Sequence, residues 1–216
     1  MLFQDRIDAA RALAQALQPW RGKHPLILAI PRGGVPMGKL IADELEGDLD
    51  VVLIRKLRAP GNPEFAIGAV AESGWVHLSD NVSSPSVSDA YLDREITSQL
   101  DAIRQRRSRY GETGHPLSPA NRIVIVVDDG LATGETMIAA LHATHENNPA
   151  QLICAVPVAA IESLEKIRNS ADEVVCLHAM TDFSSVGQFY GNFSSVPEEE
   201  VVEILRNTRP RRRSHG

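Results

Sequence analysis

The stretch from Arg122 to Met137, RIVIVVDDGLATGETM, decides the fold of this chain. Its first part, residues 123–127, is an unbroken β-branched run that is too short to cross a membrane and is typical of a strand buried on both faces. Two adjacent carboxylates, Asp128 and Asp129, follow directly. Because an unpaired buried charge is costly, we expect a cation or a hydroxyl-rich ligand at this strand end.

The segment after the carboxylates predicts an anion site. Residues 130–136, GLATGET, are mostly small, so backbone N–H groups can approach a ligand, and the last of them open a helix. The N–H groups and the dipole at the start of a helix favour negative charge. The whole stretch therefore predicts a strand that ends in a site for hydroxyls and an anion.

Length and composition indicate an ordinary soluble globular protein. The 216 residues suffice for one α/β domain over residues 1–216, with 43% hydrophobic and 23% charged residues. A net charge of −6 argues against a nucleic-acid partner, and we interpret the basic run at 209–213 as a solvated tail. Cys154 and Cys176 fall in predicted strands, where they are expected to be core residues rather than a disulfide or metal pair.

The sequence contains no signal for export or membrane insertion. Residues 1–6 lack the basic-then-apolar layout of a signal peptide, and no apolar run approaches the length of a membrane span. We therefore expect a cytoplasmic protein without a membrane partner.

The remaining pattern alternates strands and helices. Strands are predicted at 26–30, 50–54, 123–127, 152–156 and 173–177. Helices are predicted from about residue 3 to 19, after residue 34, and at 86–110, 134–145, 161–167 and 198–206. Residues 55–64 read as an irregular mobile loop, and 66–71 with 75–78 as a small hairpin. The predicted fold is an α/β domain with an open, mainly parallel, Rossmann-like central sheet flanked by helices.

Three segments that follow predicted strands are candidates for ligand binding. They are residues 31–34, the pair Arg55-Lys56, and residues 128–136. In an open parallel sheet, ligands bind outside the carboxyl ends of the strands. Together the three segments provide two turns that can bind phosphate, two cations and an acidic pair. This combination fits a sugar with an anionic group at each end, bound with a divalent metal.

The central motif resembles the 5-phosphoribosyl-1-pyrophosphate (PRPP) signature of type I phosphoribosyltransferases, and the resemblance extends over residues 26–193. It implies that Asp128 and Asp129 hold the ribose hydroxyls. It also implies that the 5-phosphate is bound by Ala132, Thr133, Gly134, Glu135 and Thr136. Gly130 departs from the family, which usually has an aliphatic residue there.

Other parts of that family are similar to further segments of the chain. Arg32-Gly33 resembles the pyrophosphate loop, which is often built with a non-proline cis peptide. Arg55-Lys56 resembles the Arg-Lys of adenine phosphoribosyltransferases, followed by a lid within a flexible loop at 57–65. Residues 181–216 would form a hood and tail beyond a core at 24–180, with Phe183 and Tyr190 as candidate base-binding residues.

The resemblance implies displacement of pyrophosphate from PRPP by a nitrogenous acceptor. Asp128 and Asp129 would stabilise positive charge on the ribose and are candidate ligands of Mg²⁺, which would otherwise be bound through PRPP. Arg55 and Lys56 would neutralise the leaving pyrophosphate. Glu64 is a candidate general base, and a homodimer is expected.

Two other functional classes stay open. A regulator could bind PRPP without chemistry and contact nucleic acid through residues 209–213. Alternatively, Asp128 could be the nucleophile of a phosphotransfer or phosphatase domain. Two further patterns favour structural interpretations, namely helix-dipole complementation for the arginines at 104, 106, 107 and 109, and a solvated face rather than a zinc site for His142 and His145.

Overall fold

The structure of the protein, a computed structural model, describes residues 1–78, 87–110 and 116–208. For residues 63 and 64 it describes the backbone alone. The basic run at 209–213 and the predicted start of a helix at residue 86 lie outside these ranges. The solvated tail therefore stays a prediction.

Within the described ranges the chain alternates helices and strands. In chain order the elements are α1 (Arg6–Ala16), β1 (Leu26–Ala29), α2 (Gly34–Leu45), β2 (Asp48–Val51), β3 (Ile54–Ala59), β4 (Asn62–Ala71), β5 (Val76–Leu78), α3 (Asp89–Arg107), β6 (Ile123–Val127), α4 (Glu135–His145), β7 (Gln151–Ala160), α5 (Ile161–Ile167), β8 (Glu173–Met180) and α6 (Glu198–Asn207). No helix in this part of the chain is long and apolar enough to cross a membrane.

The central sheet confirms the predicted fold class. Its five strands are all parallel and lie in the order β2-β1-β6-β7-β8. From β1 the chain continues to one side of the sheet, and from β6 it continues to the other. The topological switch point therefore falls between β1 and β6, whose carboxyl ends form the crevice where such folds bind ligands.

Strand β6 matches its predicted bounds, lies in the middle of the sheet and is buried on both faces. Val124 and Val126 pack in one core cluster with residues of α4 and α5. Ile125 and Val127 point to the other face and pack in the cluster that includes α1 and α2. This alternation is the period of two that a strand imposes on its side chains. The sheet is thus covered by helices on both faces.

The two cysteines have the predicted structural character. Cys154 is fully buried in the sheet core, Cys176 is partly buried, and both are free thiols. Burial raises the pKa of the Cys154 thiol, so the reactive thiolate is disfavoured there.

A second sheet replaces the irregular loop that the sequence predicts at 55–64. Strands β3, β4 and β5 pair antiparallel, and the pair Ala59 and Asn62 leaves only Pro60 and Gly61 in the turn. Gly61 has φ of +74°, as the third residue of a type II turn requires, with proline before it. Pro60 and Gly61 therefore form the turn of a tight hairpin and not part of an irregular loop. The predicted pairing of 66–71 with 75–78 is confirmed.

Buried ion pairs explain why the prediction of β2 began two residues late. Asp48 and Asp50 lie inside this strand, and a carboxylate is a poor indicator of a buried position. Asp48 accepts a hydrogen bond of 2.7 Å from Arg122, and Asp50 accepts one of 2.6 Å from Arg107. Arg107 also pairs with Glu72. Arg107 is therefore buried in an ion-pair network, which goes beyond the helix-dipole role predicted for it.

Candidate active site

The acidic pair lies at the carboxyl end of β6, at the switch point. Asp128 Oδ1 accepts the backbone N–H of Asp129 at 2.9 Å. Burial raises the pKa of the Asp128 carboxyl well above its usual range, and the neighbouring charge of Asp129 raises it further. Burial also raises the pKa of Asp129, while a hydrogen bond from Arg6 opposes that shift. The pair is a desolvated acidic site of the kind found where ligands bind.

The loop after the acidic pair is held by hydrogen bonds to β7 and α5. Leu131 bonds to the backbone of β7 through its N–H and its carbonyl, and the Ser163 hydroxyl donates to the carbonyl of Ala132 at 2.6 Å. Gly134 adopts φ of +80°, where other residues are strained, and leads into α4. Within the described part of the chain, no side chain caps α4. The first N–H groups of α4 belong in part to the exposed residues Glu135 and Thr136, and N–H groups at the start of a helix favour an anion.

The Arg32-Gly33 turn lies against the acidic pair. The peptide bond between Pro31 and Arg32 is cis. A Cβ atom on Gly33 would lie 1.9 Å from Asp129 Oδ2, so only glycine leaves room for this carboxylate. Arg32 is exposed, and its Nη2 donates to the Ser195 hydroxyl at 3.0 Å. The turn and the acidic pair, which the sequence predicted to share one ligand, are thus adjacent.

The structure separates Arg55 from Lys56 because both lie within β3 rather than after a strand. Consecutive residues of a strand point to opposite faces of the sheet. Arg55 Nε donates to Gln99 Oε1 on α3 at 2.7 Å. Lys56 is exposed and lines a cavity of about 270 Å³ together with Glu135 and Thr136. Lys56 therefore faces the anion loop, and Arg55 does not.

The two candidate base-binding residues of the hood are engaged in packing. Tyr190 is buried, its ring contacts Phe3 and Phe193, and its hydroxyl donates to the carbonyl of Asp129 at 2.7 Å. Burial raises the pKa of Tyr190. Phe183 packs on Phe189 with ring centroids 5.0 Å apart. Tyr190 therefore supports the backbone of Asp129, and its ring is buried against Phe3 and Phe193.

One further site residue, Arg6, was missed at the level of sequence. Its Nε donates to Asp129 Oδ2 at 2.8 Å, and the two side chains are 11% and 14% exposed. No neighbouring residue marks Arg6 as a site residue, and it lies 123 positions from Asp129 in the chain. No local signal could have identified it.

Comparison with known proteins supplies the family. A family model described as the phosphoribosyl transferase domain matches residues 4–193. The chain belongs to the phosphoribosyltransferase family. Two Mycobacterium tuberculosis proteins, from strains CDC 1551 / Oshkosh and ATCC 25618 / H37Rv, are each 38% identical over 205 residues, and their names assign them provisionally as phosphoribosyl transferases.

The extent of these likenesses differs between the relatives. The match covers 94% of this chain but 46% of each mycobacterial protein, so the chain spans about half the length of the curated relatives it matches. The crystal structure of TT1426 from Thermus thermophilus is similar over nearly its full length. Its sequence is 43% identical, the TM-score is 0.81, and the match covers 95% of this chain and 98% of that chain.

The departure at Gly130 has a cause in the hood of this phosphoribosyltransferase domain. A Cβ atom at residue 130 would lie 2.7 Å from Val186 Cγ1 and 3.1 Å from Val158 Cγ1. The hood therefore occupies the space that an aliphatic side chain would need. Glycine at residue 130 is therefore compatible with the close approach of Val186, and a larger residue is not.

His142 and His145 of α4 are both exposed in this phosphoribosyltransferase domain, and His142 also takes part in a ring stack. His142 stacks on Trp75 with ring centroids 5.6 Å apart, and Trp75 stacks on His77. Burial and the neighbouring histidines lower the pKa of His142. Among the described residues, no three His, Cys, Asp or Glu side chains form a group that could hold a metal. The stack joins α4 to the second sheet.

Proposed function

We propose that this domain transfers ribose 5-phosphate from PRPP to a small nitrogenous acceptor and releases pyrophosphate. The observation that carries the proposal is the contact between the Gly33 turn and Asp129. A site for ribose hydroxyls and a site for pyrophosphate must be adjacent, because both groups are attached to neighbouring carbons of one sugar. Membership of the phosphoribosyltransferase family supports the same reaction class.

The described residues would divide the substrate among them. Asp128 and Asp129 would accept hydrogen bonds from the ribose hydroxyls. The 5-phosphate would lie on the loop at 132–136, whose N–H groups and helix dipole favour an anion. Arg32 would bind pyrophosphate beside Gly33. Lys56 faces the loop and would contribute positive charge on the 5-phosphate side of the site.

The chemistry requires a change of bonds at the anomeric carbon. The C1–O bond to pyrophosphate breaks, and pyrophosphate leaves with the electron pair while the acceptor nitrogen bonds to C1. Positive charge develops on the ribose, and a carboxylate within the desolvated pair stabilises it. The acceptor nitrogen loses its proton to a base. Glu64 stays the candidate from the sequence, although its side chain lies outside the described part of the chain.

The donor set of the acidic pair fits Mg²⁺ that is bound mainly through the substrate. Mg²⁺ usually keeps several waters and takes one or two carboxylates plus substrate phosphates. One oxygen of Asp129 is paired with Arg6 and one of Asp128 accepts a backbone N–H, so each carboxylate has one oxygen outside these bonds. When bound, the metal would neutralise the pyrophosphate. The expected cytoplasmic location and homodimer stay predictions.

The first experiment tests donor binding by thermal unfolding. PRPP with Mg²⁺ should raise the melting temperature, and the double substitution Asp128→Asn, Asp129→Asn should abolish the shift. Arg122→Gln is a matched control because it breaks an ion pair of similar burial. That pair, with Asp48, lies at the amino ends of the strands, opposite the acidic pair. The control should lower stability and keep the shift. No shift in the parent protein would contradict PRPP binding.

A second candidate function is a PRPP sensor without catalysis. Two observations support this alternative: Arg55 donates to Gln99 on α3, and the ring of Tyr190 is buried. A panel of purines, pyrimidines and pyridine carboxylates should release pyrophosphate from PRPP with at least one member if the domain is a transferase. Tight PRPP binding without turnover across the panel would favour the sensor.

A further inference from the structure

Arg6 reaches the acidic pair because the N-terminal segment is attached to the hood. Phe3 bonds to the backbone of Phe189 and Gly191, at 3.0 and 2.9 Å. Asp5 then caps α1 by accepting the N–H groups of Ile7 and Asp8, both at 2.9 Å. The cap places Arg6 as the first helical residue, above the end of β6.

The position of Arg6 is unfavourable for the helix that carries it. A cation near the N-terminus of a helix faces the positive end of the dipole. Helix stability therefore does not explain an arginine there. The side chain is instead held by three contacts outside α1.

Those contacts hold the guanidinium between the acidic pair and the segment at 193–195. Nε donates to Asp129 Oδ2 at 2.8 Å and Nη1 donates to the Ser194 carbonyl at 2.8 Å. The guanidinium carbon lies 3.8 Å from the centroid of the Phe193 ring, within the range of a cation–π interaction. A planar fork with two acceptors at fixed positions has little rotational freedom.

We propose that Arg6 is a positioning residue of the ribose subsite, acting through Asp129. The inference rests on the proposed function. Arg6 holds Oδ2 of Asp129 beside the Gly33 turn, which leaves Oδ1 outside the ion pair to accept a ribose hydroxyl. The carboxylate is thereby set in one orientation before the sugar arrives, so binding does not have to order it. In this role Arg6 would act on ribose binding through Asp129 and not by direct contact with the sugar.

The test compares two probes that occupy different halves of the site. Ribose 5-phosphate carries the hydroxyls, and pyrophosphate with Mg²⁺ carries none. Titration calorimetry would measure both probes with the full chain, Arg6→Gln, Arg6→Lys and the control Arg122→Gln. The control removes a salt bridge whose side chains are each 12% exposed, close to the burial of the Arg6 pair.

Arg6→Gln should weaken the affinity for ribose 5-phosphate by about 10- to 100-fold, the loss expected when one hydrogen bond from a ribose hydroxyl to the charged Asp129 is no longer made. The affinity for pyrophosphate should be unchanged. Arg6→Lys should restore part of the affinity, since lysine keeps the charge but not the fork. The control should bind both probes like the parent protein.

Two results would overturn the assignment while the proposed function stands. One is unchanged binding of ribose 5-phosphate by Arg6→Gln. The other is an equal loss for both probes, which would make Arg6 a ligand for anions or a residue needed for the fold. If the parent protein binds neither ribose 5-phosphate nor PRPP, the proposed function and the role of Arg6 both fail.

Discussion

Replacing Gly33 with alanine should destabilise the protein mainly through a collision with the Asp129 side chain. Gly33 has φ of −60° and ψ of −35°, a right-handed helical conformation that alanine adopts without strain. At such positions Gly→Ala commonly stabilises a protein by about 0.4–1 kcal/mol. Here the added Cβ would lie 1.9 Å from Asp129 Oδ2. Any loss of stability therefore reports the collision rather than the backbone.

The size of the loss follows from the displacement that the collision forces. Moving the oxygen from 1.9 Å to the 3.4 Å of an ordinary contact shifts it by about 1.5 Å. Such a shift ends its hydrogen bond to Arg6, now 2.8 Å long. A hydrogen bond to a charged group contributes about 1.5–3 kcal/mol. After the alanine gain is subtracted, we expect a net loss of about 1–2 kcal/mol, or roughly 2–8 °C in melting temperature.

Urea and thermal denaturation of a mutant cycle with Asp129 would test this reasoning. In an Asp129→Ala background the colliding oxygen is absent, so Gly33→Ala should become neutral or stabilising. In an Asp129→Asn background an atom remains at the Oδ2 position, so the substitution should stay destabilising. The explanation is wrong if Gly33→Ala is as stable as the parent protein, or if its cost is the same in the Asp129→Ala background.

Three further predictions concern the surroundings of the site. Gly130→Val should cost about 1–3 kcal/mol of unfolding free energy by overpacking against Val186, and Val186→Ala should recover much of it in urea titrations. Arg107→Ala should cost about 3–5 kcal/mol in the same assay because it leaves the buried Asp50 and the half-buried Glu72 without this cation; a loss below about 1 kcal/mol would contradict a structural network. Hydrogen bonds from Arg106 lower the pKa of Glu198 from its ordinary value of 4.5. The contribution of this ion pair to folding stability is therefore fully present above pH 4.5 and is lost as the pH falls through the lowered pKa. Glu198→Gln should therefore reduce the acid-dependent part of the stability measured below pH 4.5, and an unchanged pH profile would count against this pair.

The candidate site was predictable where its chemistry follows from consecutive residues. The bounds of β6, the acidic pair after it and the open start of α4 depend on local hydrophobicity, small residues and one glycine with positive φ. The Pro60-Gly61 signal was equally local, but the sequence did not show that strands continue on both sides of it. The flanking residues of that turn gain their pairing partners only within the second sheet.

The sequence by itself determined an α/β fold whose middle strand ends in two carboxylates and an anion loop, because these features depend on the residues next to one another in the chain. The tertiary structure alone decided which charged side chains meet there. Strand alternation turned Lys56 toward the anion loop and Arg55 toward α3. The pairing of the N-terminal segment with the hood brought Arg6 to Asp129. Partners of this kind depend on which elements become neighbours in space, and no local pattern encodes that.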